Sequence, residues 1–250
     1  MPTITEEEAQ HVDLERPVLR CDDEIDPGRK QLDPPLPNVT HTMMIVGRPG
    51  SGKSSFVWGA LCNRKKVYNK LFRRVHWIAP PTSRASFAGG VLKKHPRVYD
   101  DITYDVLEDL RASAEEVAER GKGHFSLAVM DDVGASLKNP DLAQALRAMC
   151  WNRRHLRLSC WFCVQTYRSL HVDLRRCSSH LLLWKSVNTL ESDLVYNELL
   201  AVFLRKDEWE AVQKHVYKPH KPHDYIYVDL MAQEIYRVSD EKFYRLNITS

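Results

Sequence analysis

The sequence predicts an α/β fold, a mainly parallel sheet with helices on both faces, built around a glycine-rich loop. Three observations predict it. Met43-Met44-Ile45-Val46 runs straight into Gly47-Arg48-Pro49-Gly50-Ser51-Gly52-Lys53-Ser54-Ser55, a G-x-x-x-x-G-K-S loop with an apolar run before it and a helical pattern after it. Strand-like runs then alternate with amphipathic segments along the chain, the pattern of a parallel sheet whose crossovers are helices. Finally, Leu127-Ala128-Val129-Met130 ends in two carboxylates, Asp131 and Asp132, where a buried strand would emerge beside the loop.

The elements follow in order. Thr42–Val46 is an apolar strand and 53–63 the helix after the loop. The run 75–78 is a strand stopped by Pro80-Pro81. Residues 105–120 form a helix with Val106, Leu107, Leu110, Ala114 and Val117 on one face and Gly121 just past its end. A strand at 125–130 precedes a helix at 140–155, for which Asn139 is the N-cap and Pro140 the first helical residue. Leu158–Val164 and His180–Trp184 are strands, 190–203 and 206–215 helices, and 225–228 with 234–238 a hairpin or two edge strands. Residues 1–38 differ from the rest. Glu6-Glu7-Glu8, Asp22-Asp23-Glu24 and Pro34, Pro35 and Pro37 read as an acidic arm, disordered or draped over the body or a neighbour, ahead of one domain at 39–250.

With 250 residues and 43% hydrophobic residues the chain can bury a substantial core. No apolar run reaches membrane-span length and the N-terminus lacks a signal-peptide pattern, so a soluble, intracellular protein is expected. The formal net charge of +3 leaves any nucleic-acid contact to local basic clusters: Arg64-Lys65-Lys66, Arg73-Arg74, Lys93-Lys94 and Arg175-Arg176. Cys160-Trp161-Phe162-Cys163 is formally C-x-x-C. On a strand the two sulfurs face opposite sides, so buried thiols are expected rather than a zinc site. The six tryptophans fall mostly inside predicted elements and are expected in the core.

Each residue of the loop has a physical duty. Gly47, Gly50 and Gly52 permit turns that a Cβ obstructs. Backbone N–H groups of the loop point at a polyphosphate at the positive end of the next helix. Lys53 reaches β/γ-phosphates, and the Ser54 hydroxyl suits Mg²⁺. Asp131 suits the metal, and Asp132 can orient or deprotonate an attacking water. Gln165, at the tip of the Leu158–Val164 strand, can contact a γ-phosphate or the water, since its amide both donates and accepts. Arg153 and Arg154 close the 140–155 helix. Two readings stand for them: cations complementing the helix dipole, or an arginine finger offered to a neighbouring subunit.

These motifs, with 152–159 and 177–183, resemble the poxvirus A32-like genome-packaging ATPases of the FtsK–HerA branch over about residues 40–185. The resemblance implies an additional-strand ATPase core with the Gln165 strand between the P-loop and Asp131–Asp132 strands. It further implies ATP and Mg²⁺ as ligands and a homo-oligomeric ring, pentamer or hexamer, with shared active sites. The task would be translocation of double-stranded DNA into a preformed capsid, with a portal or vertex protein as partner. Localisation would be host cytoplasm or viral factory, or virion-associated. On the same footing Lys53 and Ser54 bind phosphate and Mg²⁺, Asp131 serves the metal, Asp132 the water and Gln165 senses. Asp132 departs from the glutamate of many relatives. The residues show no readable adenine pocket, so ATP over GTP rests on the resemblance. Two other classes stay open: a P-loop kinase for a nucleotide or small metabolite, with Arg168, Arg175 and Arg176 as a cationic lid, and a nucleotide-gated scaffold with little turnover.

Overall fold

One ten-stranded sheet organises the protein. It is seen in a computed structural model that describes residues 3–8, 32–62, 67–68, 71–84, 95–121, 123–186, 188–240 and 242–249. In chain order the elements are β1 (Thr3–Glu8), β2 (Thr42–Val46), α1 (Lys53–Cys62), β3 (Arg74–Ile78), α2 (Pro81–Arg84), β4 (Val98–Tyr99), α3 (Tyr104–Glu119) and β5 (Ser126–Asp131). Then come α4 (Pro140–Trp151), β6 (Leu158–Val164), α5 (Val172–Arg176), β7 (His180–Trp184), α6 (Thr189–Val195), a π turn at Tyr196–Leu200, α7 (Lys206–Val216), β8 (Tyr225–Asp229), β9 (Glu234–Ser239) and β10 (Lys242–Thr249).

The strand order is β1-β10-β9-β8-β7-β2-β6-β5-β3-β4. From β7 to β4 every pairing is parallel; from β7 through β8, β9 and β10 to β1 every pairing is antiparallel. β6 therefore stands between β2 and β5, the inserted strand that the resemblance implies. Parallel strands covered on both faces must be apolar at nearly every position, and β2, β6 and β7 are buried throughout. Alternation divides them between two cores. Met44, Val46, Cys160, Phe162, Leu181 and Leu183 face a core completed by α3, α4, α6 and α7. Met43, Ile45, Trp161, Cys163, Leu182 and Trp184 face the other, completed by Val57 and Ala60 of α1 and by Tyr68, Leu71 and Phe72. Cys160 and Cys163 thus point to opposite sides, both buried and unpaired.

Local signals explain the helix starts. The Thr103 side chain accepts from the Val106 N–H before α3. Asn139 accepts from the N–H groups of Asp141 and Leu142, with Pro140 behind it, at the start of α4. Before α7 the Glu208 carboxylate accepts the Arg205 N–H at 2.8 Å.

Several expectations are corrected. The 140–155 helix stops at Trp151, and Asn152 begins a turn in which the Leu158 N–H reaches the Arg153 carbonyl at 2.9 Å. Trp151 is not a core residue; it is 62% exposed, with the Arg147 guanidinium 4.9 Å from its ring centre. The 190–203 helix is α only to Val195 and continues as the π turn. The last hairpin is interior, since β7 flanks β8 and β10 flanks β9. β1, β4 and β10 were not anticipated. Pro35 and Pro37 carbonyls accept from the Tyr227 and Tyr68 hydroxyls, so this stretch packs on the body. The clusters Arg64-Lys65-Lys66, Lys93-Lys94 and Asp22-Asp23-Glu24 lie outside the described residues. No helix among the described residues is long and apolar enough to cross a membrane.

His41, His76 and His180 are buried at the sheet. His41 accepts the Trp161 indole N–H at 2.7 Å, and burial, then His180, holds its pKa well below the ordinary value. His76 lies 3.1 Å from Ser113 Oγ, and burial, then Arg97, lowers its pKa to about 4. A histidine lowered in the folded state contributes stability that is complete above its unfolded pKa, near 6.5, and is lost as the pH falls through the folded value. His76 alone should therefore remove about 3 kcal/mol between pH 7 and pH 4. Urea unfolding of His76→Gln should show a correspondingly flatter acid limb. An acid limb as steep as that of the wild type would refute the assignment.

Candidate active site

The loop of residues 47–54 leaves β2 at its carboxyl end and enters α1. Gly50 (φ +76°) and Gly52 (φ +113°) adopt left-handed conformations. A Cβ on Gly47 would stand 2.6 Å from Ser51 Oγ and 3.0 Å from Trp184 Cβ, so a larger residue here would have to displace Ser51 and press on β7. The Gly47 N–H donates to the Val164 carbonyl at 3.1 Å, tying the loop to the end of β6. Lys53 is buried. Its ammonium folds back over the loop and donates to the Gly47 carbonyl and, at 3.2 Å, to the Arg48 carbonyl.

Asp131 ends β5, 7% exposed and in register with Cys163 of β6. Asp132 follows at φ +59°, a left-handed conformation that aspartate tolerates better than most side chains. The Asp132 N–H donates to the Cys163 carbonyl at 3.0 Å. Its carboxylate accepts from Gln165 Nε2 at 3.1 and 3.0 Å. Residues 49–55, Asp131, Asp132 and Gln165 line one cavity of about 880 Å³. Arg48 is exposed and does not line it.

Charge in this cavity is strained. Burial pushes the Asp131 carboxyl up to about 6; Asp132 acts in the same direction and Lys53 opposes them. Burial lowers the Lys53 pKa, against the pull of Cys163, Asp131 and Asp132. A hydroxyl at Ser54 and a buried carboxylate at Asp131 are hard oxygen donors that fit Mg²⁺, an ion that needs one or two carboxylates when phosphates complete its shell. Among the described residues no group of three or more His, Cys, Asp or Glu is poised to hold a metal by itself.

Arg153 and Arg154 are elsewhere. Arg153 donates to the Thr40 carbonyl at 2.9 Å and the Cys150 carbonyl at 3.1 Å, at the amino ends of β2 and β6. Arg154 is exposed in the same turn. The length of a strand, roughly 15 Å, separates them from their own loop. The lid of the kinase reading is not assembled either. Arg175 is 8% exposed and donates to both Glu198 oxygens, at 2.9 and 2.7 Å.

The cavity also holds residues not anticipated: Trp184, at the tip of β7, His223 in the turn before β8, and Tyr225, Val238 and Phe243 from the antiparallel half of the sheet. Trp184 was open to the strand-tip argument that found Gln165. The others carry no motif.

A phosphate loop feeding the first crossover helix, acids on the tip of β5 and a strand inserted between them define an additional-strand P-loop NTPase fold. The family model described as Poxvirus A32 protein matches residues 34–206, and the chain belongs to that family. No curated protein matches it by sequence. Among solved structures it is similar to B204, the DNA-packaging ATPase from Sulfolobus turreted icosahedral virus, with 16% identity, a TM-score of 0.55 and coverage of 81% of this chain and 98% of that one. The genome-packaging NTPase B204 from Sulfolobus turreted icosahedral virus 2, in complex with ATP-gammaS, matches at 16% identity and TM-score 0.54 over 80% and 96% of the two chains. EssC (ATPases 2 and 3) from Geobacillus thermodenitrificans matches at 10% identity and TM-score 0.52, over 84% of this chain and 39% of that one.

A carboxyl raised from 3.8 to about 6 contributes stability that is present at low pH and lost as the pH rises through 6. Asp131→Asn should therefore raise the unfolding free energy of the nucleotide-free chain by about 3 kcal/mol at pH 8, with the gain shrinking toward zero below pH 4. Denaturant titrations at the two pH values measure it; equal stability at pH 8 would show that burial does not strain this carboxyl.

Proposed function

We propose that this chain is an ATP-hydrolysing motor that moves double-stranded DNA into a preformed capsid. The observation that carries the hydrolytic part is the single cavity in which the P-loop, Asp131, Asp132 and Gln165 converge. The packaging part is supported by the Poxvirus A32 family and by the likeness to the DNA-packaging ATPase B204.

Backbone N–H groups of residues 47–54 cradle the phosphates, and Lys53 leaves the Gly47 and Arg48 carbonyls for the β/γ-phosphates. Ser54 and Asp131 hold Mg²⁺, which supplies charge neutralisation at the phosphates when bound. Asp132 orients the attacking water and takes its proton, and Gln165 holds that carboxylate in place and senses the γ-phosphate. Arg153 or Arg154 is the finger. Their position at the far end of the strands leaves a neighbour's nucleotide as their target, which favours a ring of pentameric or hexameric type. The ATPase body is 39–250, with 1–38 as the arm. A capsid portal or vertex protein is the partner, in the host cytoplasm or viral factory or on the virion.

Phosphate release measured with and without double-stranded DNA tests this reading. DNA should stimulate the wild type. Lys53→Ala should lose about 10²-fold or more in turnover with nucleotide binding. Asp132→Asn should bind Mg-ATP and lose turnover by a similar factor. Full activity in Asp132→Asn would remove the role of that residue, and tight ATP binding without DNA-stimulated turnover would favour the scaffold.

A further inference from the structure

We propose that the aromatic cluster where β7 meets the antiparallel strands is the seat of the purine base of the nucleoside triphosphate. The inference rests on the nucleotide-binding reading above and adds the part of the ligand that reading leaves unplaced.

Sheet order gives the direction. Asp132 and Gln165 reach the cavity from β5 and β6, on one side of β2. β7 and β8 lie on the other side. A triphosphate on the loop with its terminal phosphate toward Asp132 must send its nucleoside toward β7 and β8. There Trp184 and Tyr225, paired across the two strands, stack with ring centres 4.3 Å apart. Phe56 of α1 meets Tyr225 edge-on at 6.1 Å. Val238 and Phe243 extend the wall, and His223 closes on the loop, its Nδ1 3.3 Å from the Ser51 carbonyl oxygen. Flat apolar faces at the mouth of a polar phosphate cradle suit a base joined to a polyphosphate. Two fused rings cover more of such a surface than one.

A second observation points the same way. Trp184 is 3% exposed, and its indole N–H has no hydrogen-bond partner among the described residues. That nitrogen lies 3.7 Å from where a Cβ on Gly52 would stand, beside the turn that cradles phosphate. A buried donor is seldom left unmade, and an oxygen of the nucleotide would satisfy it. Tyr225, Val238, Phe243 and His223 all lie beyond residue 206, where the family match ends, so that match assigns them no role.

Calorimetric titration of the full chain with Mg-ATP and with magnesium tripolyphosphate separates base from phosphate recognition. The wild type should bind ATP at least about tenfold more tightly than tripolyphosphate. Tyr225→Leu should bring that ratio to within about threefold. Trp184→Phe, which keeps an aromatic face and removes the donor, should lower ATP affinity by about three- to tenfold. Thermal melting of each variant checks that it is folded; should Tyr225→Leu unfold, Phe56→Leu reads the same ratio from α1. Equal wild-type affinities, or an unchanged ratio in the folded variant, would overturn the base site and leave the phosphate site standing. A chain that binds neither ligand would instead overturn the nucleotide reading itself.

Discussion

Val46 of β2 lies level with Val164 of β6 on one side and Leu183 of β7 on the other, and the rest of the structure depends on that shared parallel register. Parallel strands in common register end together. The loop after β2, Gln165 after β6, Asp131 at the end of β5 and Trp184 at the end of β7 therefore open onto one rim. The Gly47 N–H to Val164 carbonyl bond and the Asp132 N–H to Cys163 carbonyl bond carry the ladder one step beyond the strands and pin the rim. A slip of one residue would exchange the two cores, since the side-chain period of a strand is two. Trp161 and Cys163 would trade places with Cys160 and Phe162, and every apolar residue of β6 would meet a differently shaped wall.

At the rim the usual preferences of the chain are overridden. Gly47 is pressed against Trp184, Asp132 takes a left-handed turn, and an aspartate and a lysine are buried where water cannot fully solvate them. Each feature costs free energy, and the scaffold of buried parallel strands offsets it. Asp131 and Lys53 do not neutralise one another completely: both are shifted toward their uncharged forms, burial being the first cause in each case. A cavity in that condition favours ligands that bring compensating charge of both signs, as a metal-bound polyphosphate does.

How much of this was legible follows from where the information resides. The loop, the acids and Gln165 are encoded locally, because each sits at the tip of an apolar run that must be a buried strand. The bounds of β2, β6 and β7 were read directly for the same reason. Trp151 was misplaced because it falls inside a predicted helix, whereas helical spacing puts it on the face opposite Leu142 and Met149, where its ring meets Arg147. The β1–β10 pairing joins the two ends of the chain, and local sequence carries no sign of such a partner. Tyr225, Val238 and Phe243 have an ordinary strand pattern. Their meaning lies in β8 pairing with β7 beside the loop, a long-range fact that composition does not carry.

The rim is also braced from behind by two glutamates. Glu191, buried in α6, accepts the Tyr167 N–H from the segment after Gln165 and the Ser186 hydroxyl, at 2.7 Å, from the segment after Trp184. One carboxylate thus joins the chains that leave β6 and β7, on either side of the phosphate loop. Glu198, in the π turn, takes the Tyr167 hydroxyl at 2.9 Å and the Arg175 Nε and Nη2 donors, while Arg175 lies 4.8 Å from the centre of the Tyr167 ring and donates from Nη1 to the Leu170 carbonyl. Burial and the Glu198 contact push the Tyr167 phenol well above its usual pKa, so it remains a donor. In a buried network each group is costly to leave without its partner. Tyr167 therefore cannot move far without breaking bonds to both acids, and Gln165, two residues away, inherits that restraint. The lone pairs of two carboxylates well behind the cavity set how precisely an amide at its edge is held against Asp132.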